Sequence, residues 1–177
     1  MRLFIAINFS EPTRKMLITL REGLRCKSSK GRFTLDDNLH LTLIFIGECD
    51  DKQTKVLIAA INDVVFEPFP IEIDRLGRFS HNDGDLWWAG VKENKALSQL
   101  HQCLSDKLRQ AGFSIEKRKF SPHITLGRQV ITSVKDCSLE PFGETVAKID
   151  LMESKRVNGK LTYVSIFNKE ADLKMYP

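Results

Sequence analysis

Two tetrapeptides of one form, His40-Leu-Thr-Leu43 and His123-Ile-Thr-Leu126, begin 83 positions apart in a chain of 177 residues. Each alternates a polar with an aliphatic residue, the period of a β-strand, so each His shares a face with its Thr while the aliphatic residues turn toward a core. Two such matches arise by chance in about one in ten thousand chains of this composition. The pattern therefore demands two strands, each with one buried face and one face open to chemistry. Each copy also neighbours a helix-like segment, the second and third of the chain, and this weak internal echo predicts two related lobes.

The rest of the chain fits that frame. Residues 3–9 read as a short buried strand. Ser10 is placed to cap a helix with Pro12 in its first turn, and Met16, Leu17, Leu20 and Leu24 form its apolar stripe. Residues 39–46 read as a strand. A second helix is capped by Asp50 or Asp51, carries Leu57, Ala60, Ile61 and Val64, and stops before Pro68 and Pro70. Residues 71–76 and 86–91 read as strands joined by a polar hairpin loop, residues 80–85. Leu97, Leu100, Leu104, Leu108 and Ala111 mark a third helix closed by Gly112. Strands follow near 124–131, 145–152 and 161–167, with Asn158-Gly159 as a hairpin turn. The order βαβα-ββαβ-ββ and its tight turns predict an α+β fold of antiparallel sheets rather than a doubly wound parallel sheet.

Composition narrows the class. Hydrophobic residues are 42% and charged residues 28%, values of an ordinary globular chain. No apolar run approaches the ~20 residues of a membrane-spanning helix. The four cysteines show no paired spacing, so reduced thiols and a cytoplasmic setting are expected. There is no linker or low-complexity tract, so residues 1–177 are expected to form a single unit. The net charge is only +4, but between Lys107 and Arg128 six basic residues face Glu116 alone.

Imidazole titrates near pH 6.5, so one histidine can take a proton while a second gives one. Placed on opposite sides of a phosphorus atom, two histidines suit an in-line displacement, and the Thr42 and Thr125 hydroxyls can donate to the non-bridging oxygens. Arg128 adds a planar donor fork suited to phosphate. Its odd interval of five from His123 requires a bulge, near Gly127, to bring it to the same pocket. Phe4 shares a strand face with Ala6 and Asn8 and is read either as a core residue or as a base-stacking one. Trp87 and Trp88 point to opposite faces, one buried and one near the cleft or solvent. His81, in a turn, and His101, on a helix, read as structural or solvated. Arg118 and its neighbours read as an RNA track or as a solvated basic turn.

With these residues in view, the chain resembles the two-histidine (2H) phosphoesterases. Within them it is similar to the bacterial and archaeal 2′-5′ RNA ligase-like RNA 2′,3′-cyclic phosphodiesterases. The resemblance rests on Arg2-Leu-Phe-Ile-Ala-Ile7, Asn38-Leu-His-Leu-Thr-Leu43 with Gly47-Glu48, Leu86-Trp-Trp-Ala-Gly90, Phe120-Ser-Pro-His-Ile-Thr-Leu-Gly-Arg128, Ser154 and Leu161-Thr-Tyr163. Ser121 stands where many members carry another residue. The resemblance implies a bilobal, pseudo-two-fold cleft with helices outside, and His40 as proton donor with His123 as acceptor. It also implies Arg128 on the phosphate, no metal or other cofactor, and RNA or a nucleotide with a 2′,3′-cyclic phosphate as partner. The expected product is a 2′-phosphate. Two alternatives are the reverse chemistry, 2′-5′ RNA joining, and a non-catalytic nucleotide- or RNA-binding module; the intact paired motifs with Arg128 argue against the latter.

Overall fold

A computed structural model describes residues 1–172. Three helices and nine strands appear among them: β1 (Arg2–Asn8), α1 (Glu11–Cys26), β2 (Ser28–Phe33), β3 (His40–Glu48), α2 (Asp51–Asn62), β4 (Phe69–Phe79), β5 (Asp85–Val91), α3 (Lys95–Gln110), β6 (His123–Thr132), β7 (Cys137–Val146), β8 (Lys148–Val157) and β9 (Lys160–Glu170). A 3₁₀ turn, Asp36–Asn38, precedes β3. The strands form one sheet in the order β7-β4-β5-β6-β3-β1-β8-β9, with β2 added to β6. Every pairing is antiparallel. The expected α+β class is what the chain adopts.

The order is symmetrical about the β3–β6 junction, with four strands of the main order on either side. That junction is also the weakest seam, since a single pair, Leu41 opposite Ile124, joins the two motif strands. Leu41 and Ile124 are fully buried in a core that also holds Leu17 and Leu24 of α1, Leu57 and Ile61 of α2, and Leu97, Leu104 and Leu108 of α3. The helices thus cover one face of the sheet, which leaves the His–Thr face of β3 and β6 without a helix on it. On that second face Phe4, Ala6 and Met152 form a small separate cluster with Tyr163. The strand β1 is therefore buried on both faces and shows no alternation.

Local sequence explains most elements. Asp50 closes a capping box on α2, accepting from Gln53 N at 2.7 Å while Gln53 Oε1 accepts from Asp50 N at 2.9 Å. Asn94 caps α3 by accepting from Leu97 N at 2.9 Å, and Gly112 ends the segment with φ +91°. Asn158 and Gly159 both take positive φ, 50° and 77°, as the two-residue hairpin of β8–β9 requires.

Three expectations need correcting, and one strand was not expected at all. Ser10 does not cap α1 with its side chain; its Oγ donates instead to Glu144 at 2.8 Å. Met16 is 49% exposed, because the buried stripe of α1 runs through Thr13, Leu17, Arg21 and Leu24. The strand β2 had no apolar signal: Ser28-Ser-Lys-Gly-Arg-Phe33 is held by its ladder to β6, not by burial. The predicted strand 145–152 is two strands, β7 and β8, that meet around Ala147. The strand β7 escaped notice because it is an edge strand with mostly exposed side chains, and Pro141 sits where its pairing to β4 is interrupted. Among the described residues, no helix is long and apolar enough to cross a membrane.

Candidate active site

In an antiparallel pair, placing Leu41 opposite Ile124 sets His40 across from Thr125 and Thr42 across from His123. The four side chains form a square on the helix-free face, all half-buried. The histidines occupy one diagonal, where Cβ atoms of a regular sheet lie about 7–8 Å apart, room for a group seated between the rings.

Both rings are oriented by main chain. His40 Nδ1 lies 2.8 Å from the carbonyl oxygen of Asn38, and His123 Nδ1 lies 2.8 Å from that of Ser121. A carbonyl only accepts, so each Nδ1 carries the hydrogen and Nε2 is the nitrogen left for proton transfer. Because the bond to Ser121 is made by its backbone, the identity of that side chain is immaterial to the tautomer. Asn38 is itself fastened, donating from Nδ2 to Leu161 O of β9 at 2.9 Å. The two halves then differ. His40 Nε2 is 2.9 Å from Thr42 Oγ1, which donates to the neutral ring and accepts from the protonated one. Among the described residues no such bond joins His123 and Thr125; Thr125 instead accepts at its carbonyl from Thr34 Oγ1 at 2.8 Å.

Aromatic rings brace each imidazole. Phe4 and Tyr163 lie 5.0 and 5.1 Å from His40, Tyr163 edge-on. Phe79 meets His123 edge-on at 5.3 Å, and Trp88 lies 6.3 Å away. The floor role of Phe4 decides between its two readings: at 3% exposed it backs His40 and offers no open face to a base. Phe45, which pairs with Phe4 across β1–β3 and lies 6.1 Å from it, is 60% exposed. A shift in the β1–β3 register at Leu43–Ile44 turns Phe45 to the same face as Thr42. Sequence reading missed Phe45, Phe79 and the bracing role of Tyr163. The unpaired bulge of β3 was the hidden signal, since strict alternation places Phe45 on the core face. Trp87 is fully buried and Trp88 is the cleft-side indole.

The required bulge is present in β6. Trp88 opposes Thr125 while Trp87 opposes Gly127, so β6 carries one extra residue there and Arg128 returns to the face of His123. A second irregularity follows, with Gln129 at φ 53°. The Arg128 charge reaches His40, His123 and Tyr163. Burial, first, and then Arg128 hold both imidazoles below their ordinary range, against the upward pull of their carbonyl partners; His40 is lowered further by His123, and His123 by Arg118. Burial raises the Tyr163 hydroxyl, opposed by Arg128 and Arg2. Arg118 pairs with Glu116 at 3.1 Å. His81 and His101 stand apart from the square, His81 exposed in the β4–β5 turn and His101 stacked on Phe120 at 4.0 Å. Among the described residues, no three His, Cys, Asp or Glu side chains gather as a metal-binding group.

Comparison with known proteins agrees with this architecture. Residues 17–156 match the 2′-5′ RNA ligase superfamily. The chain is 32% identical over 152 residues to the RNA 2′,3′-cyclic phosphodiesterase of Archaeoglobus fulgidus, covering 81% of this chain and 85% of that one. It is 28% identical to the RNA 2′,3′-cyclic phosphodiesterase of Escherichia coli, covering 93% of each. The crystal structure of E. coli LigT complexed with 3′-AMP superposes with a TM-score of 0.84 at 26% identity, over 97% of this chain and 98% of that one. With the paired motifs on adjacent strands of one antiparallel sheet, the chain belongs to the 2′-5′ RNA ligase superfamily of two-histidine phosphoesterases.

Proposed function

We propose that the protein hydrolyses RNA 2′,3′-cyclic phosphate ends to 2′-phosphates, using His40 and His123 as an acid–base pair. The observation that carries this reading is the diagonal square: two imidazoles, each with Nδ1 tied to a carbonyl so that Nε2 is the nitrogen that exchanges a proton, that of His40 beside Thr42 Oγ1, flank one space. In the reaction, His123 Nε2 takes a proton from water as the water oxygen bonds to phosphorus. The bond from phosphorus to the 3′ oxygen breaks, and His40 Nε2 delivers its proton to that oxygen. Thr42 and Thr125 donate to the non-bridging oxygens, and Arg128 balances their charge. Proton donation requires a protonated His40, which the free site disfavours. An anionic phosphate beside the buried ring favours that proton, both by its own charge and by offsetting Arg128. The shared activity named for the relatives supports this choice of substrate.

Phe45, with its open ring, takes the base-stacking role that Phe4 cannot fill. The proposed chemistry is proton transfer between the two histidines, without a metal. Incubating the protein with a 2′,3′-cyclic mononucleotide and a cyclic-ended oligonucleotide, with and without chelator, tests the reading. A 2′-phosphate product formed equally in chelator is expected. A 3′-phosphate, or activity restored only by a divalent ion, overturns it; joined oligonucleotides in excess of hydrolysis favour the ligase direction.

A further inference from the structure

Arg128 has a twin on the neighbouring strand. In the β2–β6 ladder Arg32 stands directly opposite Arg128, and both side chains are exposed. Residues paired across a ladder point to the same face. The neighbours confirm which face this is. Phe33 pairs with Gly127 and packs on the core, and an added Cβ at Gly127 would meet Val130 and Phe33, so Arg32 projects to the open side with Arg128. Lys30, two residues back, continues that row, although the ladder shifts between Lys30 and Arg32.

Like charges placed directly opposite each other cost stability. Several arginines of this chain are neutralised by carboxylates: Arg21 holds Glu22 and Asp36, Arg75 holds Asp74, Arg78 holds Asp85 and Asp136, and Arg118 holds Glu116. Among the described residues, Arg32 and Arg128 have no carboxylate partner. An anion shared along the strand pair would remove the repulsion. The Arg128 charge reaches both histidines, and Arg32 stands beside Arg128 on β2, the strand that continues past β3 along the same edge of β6.

We propose that Arg32 binds the phosphodiester preceding the terminal cyclic phosphate, and so sets a preference for RNA chains over mononucleotides. Opposed side chains stand about 4.5–5.5 Å apart at Cβ, and long guanidinium arms on them can hold two successive phosphates of an extended strand. Arg128 takes the reacting phosphate and Arg32 the next one. This rests on the hydrolytic reading above, and the experiment separates the two.

Arg32→Gln and Arg32→Lys are compared with the unaltered protein on a 2′,3′-cyclic mononucleotide and on a cyclic-ended pentanucleotide. The Gln change is expected to lower kcat/KM on the pentanucleotide about 10–100-fold, the range of a lost charged hydrogen bond, and to leave the mononucleotide unchanged. The Lys change keeps part of the loss from appearing. The salt dependence of pentanucleotide binding should weaken by about 0.7 in its log–log slope, one phosphate contact on a single strand. Equal losses on both substrates, or none on either, overturn the proposal. Fluorescence anisotropy with a pentanucleotide ending in a 2′-phosphate reads the Arg32 contact without turnover. If the unaltered protein hydrolyses neither substrate, the hydrolytic reading fails, while unchanged anisotropy for Arg32→Gln still overturns the phosphate assignment.

Discussion

Trp88 is held where a side chain on either of two glycines would stand, and this makes the placement of His123 testable from a distance. A Cβ built on Gly77 would lie 2.6 Å from Trp88 Cζ2 and 2.8 Å from Cζ3, and one built on Gly90 would lie 2.8 Å from Cζ3. Ordinary carbon contacts are about 3.5–4.0 Å, so Gly77→Ala requires the indole to move by about 1 Å. It cannot yield freely. The Arg75 guanidinium lies 6.0 Å from the ring centroid, and Phe79 packs at 5.3 Å. The displacement passes to Phe79 and His123, which themselves meet edge-on at 5.3 Å. Overpacking of this kind costs about 1–3 kcal/mol. At about 2–4 °C per kcal/mol for a chain of this size, Tm should fall by roughly 2–12 °C. A misplacement of about 1 Å at a reacting group can cost ~10²-fold in rate. Turnover of a cyclic mononucleotide per folded molecule should therefore drop by that order. Gly112→Ala supplies the control, because at Gly112 a φ of +91° strains any residue with a Cβ while the space around it is open. It should lose stability with turnover per folded molecule unchanged. If Gly77→Ala loses activity only in step with its folded fraction, or loses nothing, Trp88 does not position His123 and the bracing argument fails.

Three further outcomes are expected. His40→Ala and His123→Ala should each lower turnover by ~10²–10⁴-fold while remaining folded, and the double variant should lose far less than the product of the two, because a pair acting in one step is not additive; melting and turnover on the same samples decide. Arg128→Lys should be intermediate and Arg128→Ala worse, by about 2.7–4 kcal/mol of transition-state stabilisation if its loss resembles that of an oxyanion donor, and a fully active Ala variant would refute the phosphate contact. Both site imidazoles have lowered pKa values, so the unfolded chain binds more protons as pH falls below about 6.5. Their contribution to stability is complete above that pH and is lost as pH falls toward the folded values, so Tm should decline there. Nuclear magnetic resonance titration should find both rings below 6.5 and see them rise when inorganic phosphate is added. An unshifted His40 would remove the electrostatic account.

The legible parts of the fold were those that bury apolar side chains at a regular period. Leu17, Leu57, Leu104 and the aliphatic residues of the two tetrapeptides announce helices and strands because each must leave water. The strands β2 and β7 gave no such signal, since their stability comes from main-chain ladders that leave side chains in solvent. The site divided in the same way. His40, Thr42, His123 and Thr125 follow strict alternation and were readable, and the parity of Arg128 demanded a bulge that β6 supplies. Phe45 was not readable, because the irregularity in β3 that turns it outward leaves no mark in the residue types. Tyr163 and Phe79 approach the histidines from strands remote in sequence, a proximity that only the sheet order creates.

The carbonyls of Asn38 and Ser121 that fix the two imidazoles have a consequence for how such a site drifts over generations. Where a carboxylate orients a histidine, one amide substitution can reverse the tautomer and silence the enzyme. Here the orienting atoms belong to the peptide itself, and no exchange of side chain deletes them. Residues 38 and 121 are thus free to vary as far as the tautomer is concerned, provided the chain keeps its path. Asn38 retains its own constraint through Leu161, whereas Ser121 has no comparable tie among the described side-chain bonds. A library of substitutions at 121 should consequently be far more permissive than one at 123, and lineages carrying this sheet can lose most of their common sequence while the proton stays on the same nitrogen.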